Sequence, residues 1–175
     1  MKYLLDTHTW VWWNMRPQNL SRKVTKLIEN TNGYDELLLS AISPWEFSEL
    51  LEKGKLGISC NPEEWINTAL EMPKLKFVHL TPMIAYRSTV LPKPFHDDPA
   101  DQIIVATARE ENATILTKDK RILNYQYVES LWKTRIDVAE PVTSADGKKR
   151  GALAQSCWPA AGFLLGLKER VIQQV

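Results

Sequence analysis

Short apolar runs of strand length alternate along this chain with stretches of helical periodicity. That alternation constrains the fold more than any other feature. YLLD at residues 3–6, ELLLSAI at 36–42, the run from Phe77 to Leu80 and ATILT at 113–117 are short, apolar and bounded by polar or turn residues, as buried strands are. Tyr125 to Val128 reads as a further short strand. Between them fall helices over Trp10–Met15, Ser21–Asn30, Ser43–Lys53 (stopped by Gly54), Asn61–Glu71, Thr81–Val90 and Pro99–Glu111, with a proline-bearing loop from Leu91 to Asp98. Strands that alternate with helices predict an α/β fold, an α/β sandwich around a central, mostly parallel sheet.

The pattern stops at Trp132. Residues 133–151 contain Pro141, Ser144, Gly147, the run Lys148-Lys149-Arg150 and Gly151, and read as a linker. Residues 152–175 carry Phe163, Leu164, Leu167 and Val171 at helical spacing. The expected organisation is a domain over residues 1–132 and a C-terminal extension, a linker with a helix, over residues 133–175.

Charge does little to choose a function. The chain carries a net charge of +1, and residues 1–132 hold 15 Lys and Arg against 17 Asp and Glu. A carboxylate pocket that works with bound cations needs no basic excess, so nucleic acid is neither implied nor excluded. No apolar run reaches the roughly 18 residues of a membrane span, and the opening MKYLLDTHTW lacks a signal peptide's apolar stretch. Cys60 and Cys157 have no metal-type spacing. A cytoplasmic location without membrane contact is the expectation.

Four acids fall at matched places. Asp6 ends the first strand, Asp119 follows two residues after Thr117 at the end of another, and the strand-to-helix junction at Ile42-Ser43 delivers Glu46 to the same sheet edge. Ligands collect outside the carboxyl ends of strands in open α/β sheets. Asp101 shares a helix face with Ile104, Val105 and Ala108, the face expected to pack on the sheet. A half-buried carboxylate there needs a partner, and a hard divalent cation is one. Each acid also has a purely local reading. Ser43-Pro44-Trp45-Glu46 and Asp98-Pro99-Ala100-Asp101 have the layout of a capping box, as does Asn61-Pro62-Glu63-Glu64, which follows no strand. Asp6 can cap the helix after it, and Asp119 can be a surface turn acid. Convergence of all four on one edge is the stronger sign.

Four segments, LLDTHTWVWW at 4–13, SAISPWEFSELLEKGKL at 40–56, HDDPADQIIVATA at 96–108 and ILTKDKRI at 115–122, together resemble the PIN domain, and most of all the VapC-type toxins of bacterial toxin–antitoxin pairs. They occur in order between Lys2 and Trp132. The resemblance implies a three-layer α/β/α fold, one or two Mg²⁺ or Mn²⁺ ions and endonucleolytic cleavage of RNA. It assigns the metal to Asp6, Glu46, Asp101 and Asp119, with Asp98 as a helix cap and accessory acid and Thr7 and Thr117 as small hydroxyls beside the metal. It also implies a VapB-like antitoxin as partner and a homodimer. The family often carries Arg directly after the third acid, where this chain has Gln102.

Further roles rest on residue type. Arg16, Lys53, Lys55, Lys118, Lys120 and Arg121 are candidate cations for an RNA backbone, each also readable as ordinary surface charge. His8 and His96 flank acids, where hydrogen bonding or packing is expected ahead of catalysis. Trp10, Trp12, Trp13 and Trp45 can stack bases, fill the core or, with Leu50-Leu51, line a groove for a partner. A phosphatase of the haloacid-dehalogenase type would need a second acid where His8 stands. A non-catalytic binding module of the same fold is the remaining alternative.

Overall fold

The structure is a computed structural model that describes residues 1–31 and 35–132. The expected linker and helix of residues 133–175 therefore lie outside the described residues. Five strands, β1 (Lys2–Leu5), β2 (Glu36–Ser40), β3 (Leu75–Val78), β4 (Thr114–Leu116) and β5 (Ser130–Leu131), form one sheet in the order β3-β2-β1-β4-β5. Every pair is parallel. Seven α-helices surround it among the described residues: α1 (Thr7–Met15), α2 (Arg22–Asn30), α3 (Ile42–Glu52), α4 (Pro62–Leu70), α5 (Pro82–Thr89), α6 (Pro99–Glu111) and α7 (Lys120–Leu123). A single 3₁₀ turn over Pro17–Asn19 joins α1 to α2.

Alternation along the strands builds two cores. Leu4, Leu38 and Ile115 point to one face and pack with Val78, Ile84, Ile104, Val105 and Ala108 from β3, α5 and α6. Tyr3, Leu5, Leu37, Leu39 and Leu116 point to the other and meet Trp10, Val24, Ile28, Phe47 and Trp65 from α1 to α4. A strand apolar on both faces has to be covered on both, which is why parallel sheets sit in the middle layer of three. The aromatic centre of the second core is a stack of Phe47 on Trp65, ring centroids 4.2 Å apart, with Trp10 edge-on to both.

Helix ends follow local chemistry. Ser21, Asn61, Thr81 and Asp98 each cap the helix behind them through a side-chain oxygen. Gly54 closes α3 at φ 64°, where a left-handed residue turns Lys55 N–H back onto the Leu50 carbonyl. Asn112, at φ 52°, does the same for α6.

Two expectations need correction. The last strand is Ser130–Leu131 rather than Tyr125–Val128; the Tyr125 hydroxyl instead donates to the Pro92 carbonyl, fastening that segment to the proline loop. Lys120–Leu123, unassigned by the sequence, make a short helix that Asp119 caps. Ser43 does not cap α3. Ala41 N–H continues the sheet by donating to the Val78 carbonyl, so the helix starts at once with Ala41 at the cap position, and the Ser43 hydroxyl is buried inside the first turn. Pro44 is tolerated there because first-turn N–H groups have no partner within the helix. Glu46 is thereby moved out of capping-box register into the second turn.

Candidate active site

Strand order places the site. The chain runs outward from β1 through β2 to β3, then returns to lay β4 on the opposite side of β1. The crevice at the carboxyl ends of β1 and β4 is thus the point where the winding reverses, the favoured position for a ligand in such sheets. Asp6 leaves β1 there, and Thr117 and Asp119 leave β4. Helix α3, which follows β2, brings Glu46, and the first turn of α6 brings Asp101.

Asp6 and Asp101 are both buried, only 4% and 7% exposed. Asp6 stands at the N-cap of α1, yet its carboxylate makes no cap hydrogen bond. Oδ2 instead accepts from the Thr117 hydroxyl at 2.5 Å and lies 3.3 Å from His8 Nδ1. The same Thr117 oxygen accepts from Asp119 N–H at 2.9 Å, joining the β1 and β4 ends. Asp101 Oδ2 accepts from Arg121 Nη2 at 2.8 Å and lies 3.3 Å from His96 Nε2. Asp119 caps α7 by accepting from Arg121 N–H at 2.7 Å, and its carboxylate also takes the Arg121 guanidinium. The surface-turn reading of Asp119 is thus replaced by a cap that also faces the site. Asp98 caps α6 through Ala100 N–H, as the sequence predicted.

The four acids interact electrostatically. Burial first, then the charges of Asp6 and Asp98, push the Asp101 carboxyl up to about 7, with Arg121 pulling the other way. Glu46 is raised chiefly by burial and further by Asp6, Asp98 and Glu49. The Thr7 hydroxyl offsets part of that rise from close by, although neither it nor Glu46 Oε2 has a hydrogen-bond partner of good geometry. Asp119 is held low by its hydrogen bonds to Arg121. His96 is lowered by burial and by the Arg121 charge.

These features suit a hard cation. The donors are all oxygen, Glu46 Oε2 is buried without a partner, and repulsion among the acids favours any positive charge placed between them. Among the described residues no group of three or more acid, His or Cys side chains is placed to hold a metal ion together. Mg²⁺ does not require that, since it keeps several of its waters and is held by one or two carboxylates.

The candidate cations divide into two groups. Lys118, Lys120 and Arg121 adjoin Asp119 in the chain; Arg121 reaches Asp101 and Asp119, and Lys118 Nζ lies 5.5 Å from the centre of the Trp12 ring. Arg16 lies at the far end of α1, and Lys53 and Lys55 beyond the far end of α3, where Lys53 pairs with Glu49. At 1.5 Å per helical residue that is roughly 10–15 Å from the acids. Trp10 is a core residue, and Trp12, Trp13 and Leu51 pack against the same core; Trp45, 52% exposed, faces outward. The sequence set Arg121 near the acidic edge as an RNA contact and did not reveal its pairing with Asp101 and Asp119. The i, i+2 spacing of Asp119 and Arg121 across a helix start was the available signal.

Fold and site together define an α/β/α domain with a carboxylate cluster at its sheet-edge crevice. The PIN domain family model matches residues 3–126, and the chain belongs to that family. It is 35% identical over 124 residues to "Ribonuclease VapC22" of Mycobacterium tuberculosis, a match covering 71% of this chain and 92% of the relative. The same fold occurs in VapBC2 from Rickettsia felis bound to a promoter DNA fragment, at 18% identity and a TM-score of 0.54, covering 76% of this chain and 100% of that one. It occurs again in VapBC-1 from nontypeable Haemophilus influenzae, at 22% identity and a TM-score of 0.53, covering 75% and 97%. Membership of this family removes the haloacid-dehalogenase alternative. Among the described residues no helix is long and apolar enough to cross a membrane.

Proposed function

We propose that this protein is a divalent-metal-dependent endoribonuclease, the toxin of a VapBC-type pair, with a VapB-like antitoxin as partner and a homodimeric assembly. The observation that carries the reading is the electrostatic influence of Asp6 on Glu46 and Asp101, and of Asp119 on Asp101, beside the carboxyl ends of β1 and β4, where burial and mutual repulsion favour a bound cation. The relative named as a ribonuclease supports the activity, and the toxin–antitoxin relatives support the partner.

Asp6, Glu46, Asp101 and Asp119 would hold Mg²⁺ or Mn²⁺, with Asp98 beside them. When bound, the ion supplies a water of lowered pKa and offsets charge on the phosphoryl oxygens. Thr117 fixes Asp6 through its hydroxyl. Arg121 keeps Asp119 ionised. Lys118 and Lys120 flank the crevice and suit the phosphate backbone of an RNA strand. No side chain is needed as a covalent nucleophile, and the expected products end in 5′-phosphate and 3′-hydroxyl.

The test is cleavage of total RNA by the purified protein with Mn²⁺ or Mg²⁺, against EDTA and against Asp6→Asn. Asp6→Asn should lose more than about 100-fold, beyond what outer-shell changes cost. Metal-independent cleavage, or an undiminished Asp6→Asn, would remove the metal mechanism. A protein that binds RNA or antitoxin and cuts nothing would be the binding module instead.

A further inference from the structure

The two most buried acids of the site are each approached by a histidine, and the two histidines are arranged alike. His8 Nε2 accepts from the main-chain N–H of Lys118 at 2.9 Å, while its Nδ1 lies 3.3 Å from Asp6 Oδ2. His96 Nδ1 accepts from the main-chain N–H of Asp98 at 3.4 Å, with Arg121 Nη1 3.5 Å from that same nitrogen, while its Nε2 lies 3.3 Å from Asp101 Oδ2. A ring nitrogen that accepts from an N–H carries no proton, so in a neutral ring the proton sits on the other nitrogen. That nitrogen lies 3.3 Å from a carboxylate oxygen in both cases, in ion-pair reach but without a hydrogen bond of good geometry, and His96 Nε2 is buried with no hydrogen-bond partner. The assignments are mirror images: Nδ1–H at His8, Nε2–H at His96.

Asp98 N–H is the group a capping-box acid at position 101 would otherwise satisfy. His96 takes it, and Asp101 is released toward the crevice. On both acids the protein's contacts fall on a single oxygen. Thr117 and His8 address Asp6 Oδ2, and Arg121 and His96 address Asp101 Oδ2. Among the described residues, no hydrogen bond or ion pair reaches the Oδ1 of either acid.

We infer that His8 and His96 are a matched pair of positioning residues, each locked by a main-chain N–H into the tautomer that turns Asp6 or Asp101 to leave its Oδ1 free for the site. This inference rests on the metal-site reading. Partners of ligating side chains orient them, and losing one typically costs 10–100-fold in metal affinity.

The mirror arrangement predicts a crossed pattern of rescue. Asparagine places its amide near the Nδ1 position of a histidine, and glutamine near Nε2. His8→Asn keeps an N–H for Asp6, whereas His8→Gln keeps only a group near Lys118. His96→Gln keeps an N–H for Asp101, whereas His96→Asn keeps only a group near Asp98. By titration calorimetry with Mn²⁺, His8→Gln and His96→Asn should weaken binding about 10-fold or more, and His8→Asn and His96→Gln should stay within a few-fold of the parent. The opposite pairing, or equal loss from both substitutions at either site, overturns the proposal. Unchanged Mn²⁺ affinity in all four variants, as for a histidine that only shuttles protons, overturns it as well.

A second measurement needs neither metal nor variants. Long-range ¹H–¹⁵N correlation of the histidine rings in the metal-free full chain should show His8 as the Nδ1–H tautomer and His96 as the Nε2–H tautomer. The reverse tautomer at either residue overturns the positioning role even if the protein binds Mn²⁺. The expected tautomers in a protein that binds no Mn²⁺ would retain the orientation of the acids and discard the metal reading.

Discussion

Nη2 of Arg121 donates to Asp101 Oδ2 at 2.8 Å, tying the start of α7 to the start of α6. The same nitrogen donates to Asp119 Oδ2 at 2.7 Å, so one guanidinium serves two acids of the site. It holds Asp119 low and restrains the rise of Asp101. Arg121→Met should therefore move both carboxyls upward. Carboxyl-carbon NMR of the metal-free protein reads this directly: Asp119 should titrate higher than in the parent and Asp101 above about 7. Unmoved titrations would show that solvent already screens the half-exposed guanidinium.

Asp101 also makes stability depend on pH. Its folded pKa, about 7, lies above the ordinary value of 3.8. Between these values the folded chain binds more proton than the unfolded one, so this group's contribution to stability falls as pH rises from about 4 to 7 and stays fully lost above that. At about 1.36 kcal/mol per pK unit the loss is at most ~4 kcal/mol. Glu46 acts in the same direction, and Asp119, held low, in the opposite one. Metal-free Asp101→Asn should melt higher than the parent at pH 8, with the gap closing toward pH 4. A gap constant over that range would contradict the raised pKa.

Much of this was legible before any coordinates. Strand runs, caps and the helix from Pro99 to Glu111 follow from local patterns with physical causes, and the side-chain period of two splits Leu37 and Leu39 from Leu38 between the two cores. The places of Asp6 and Asp119 follow from the ends of β1 and β4, and that of Asp101 from the inward face of its helix. Long-range pairings were not legible. The Ala41 hydrogen bond to Val78 starts α3 early and cancels the Ser43 cap, and no window around Ser43 contains Val78. Tyr125 fits a strand locally but is held by Pro92, 33 residues away. The His8 contact with Lys118 spans 110 residues, so the roles of the histidines emerged only with the fold.

Thr117 is fully buried, and its hydroxyl sits between Asp119 N–H and Asp6 Oδ2. Thr117→Val keeps the shape and removes both hydrogen bonds, leaving a buried carboxylate oxygen one donor short. Such losses cost about 1–3 kcal/mol. Urea unfolding should show that loss for Thr117→Val and recovery of most of it for Thr117→Ser. A valine variant as stable as the parent would mean that Asp6 is held adequately by its other contacts.

Glu46 has one neighbour in each extreme of environment, and the pair tests how α3 holds it. Phe47 is fully buried and stacks on Trp65 within the aromatic core; Trp45 is 52% exposed. Removing a buried phenylalanine forfeits its transfer energy and leaves a cavity that a close-packed interior refills only in part, at about 3–5 kcal/mol. Phe47→Ala should lose that much stability, and because α3 docks through this ring, RNA cleavage should fall even at a temperature where the variant stays folded. Trp45→Ala, away from the core, should change stability by no more than ~0.5 kcal/mol. Denaturant unfolding of both variants, with cleavage assayed under folded conditions, decides it: comparable stability losses in the two, or full cleavage by a folded Phe47→Ala, would show that Glu46 is not placed through this contact.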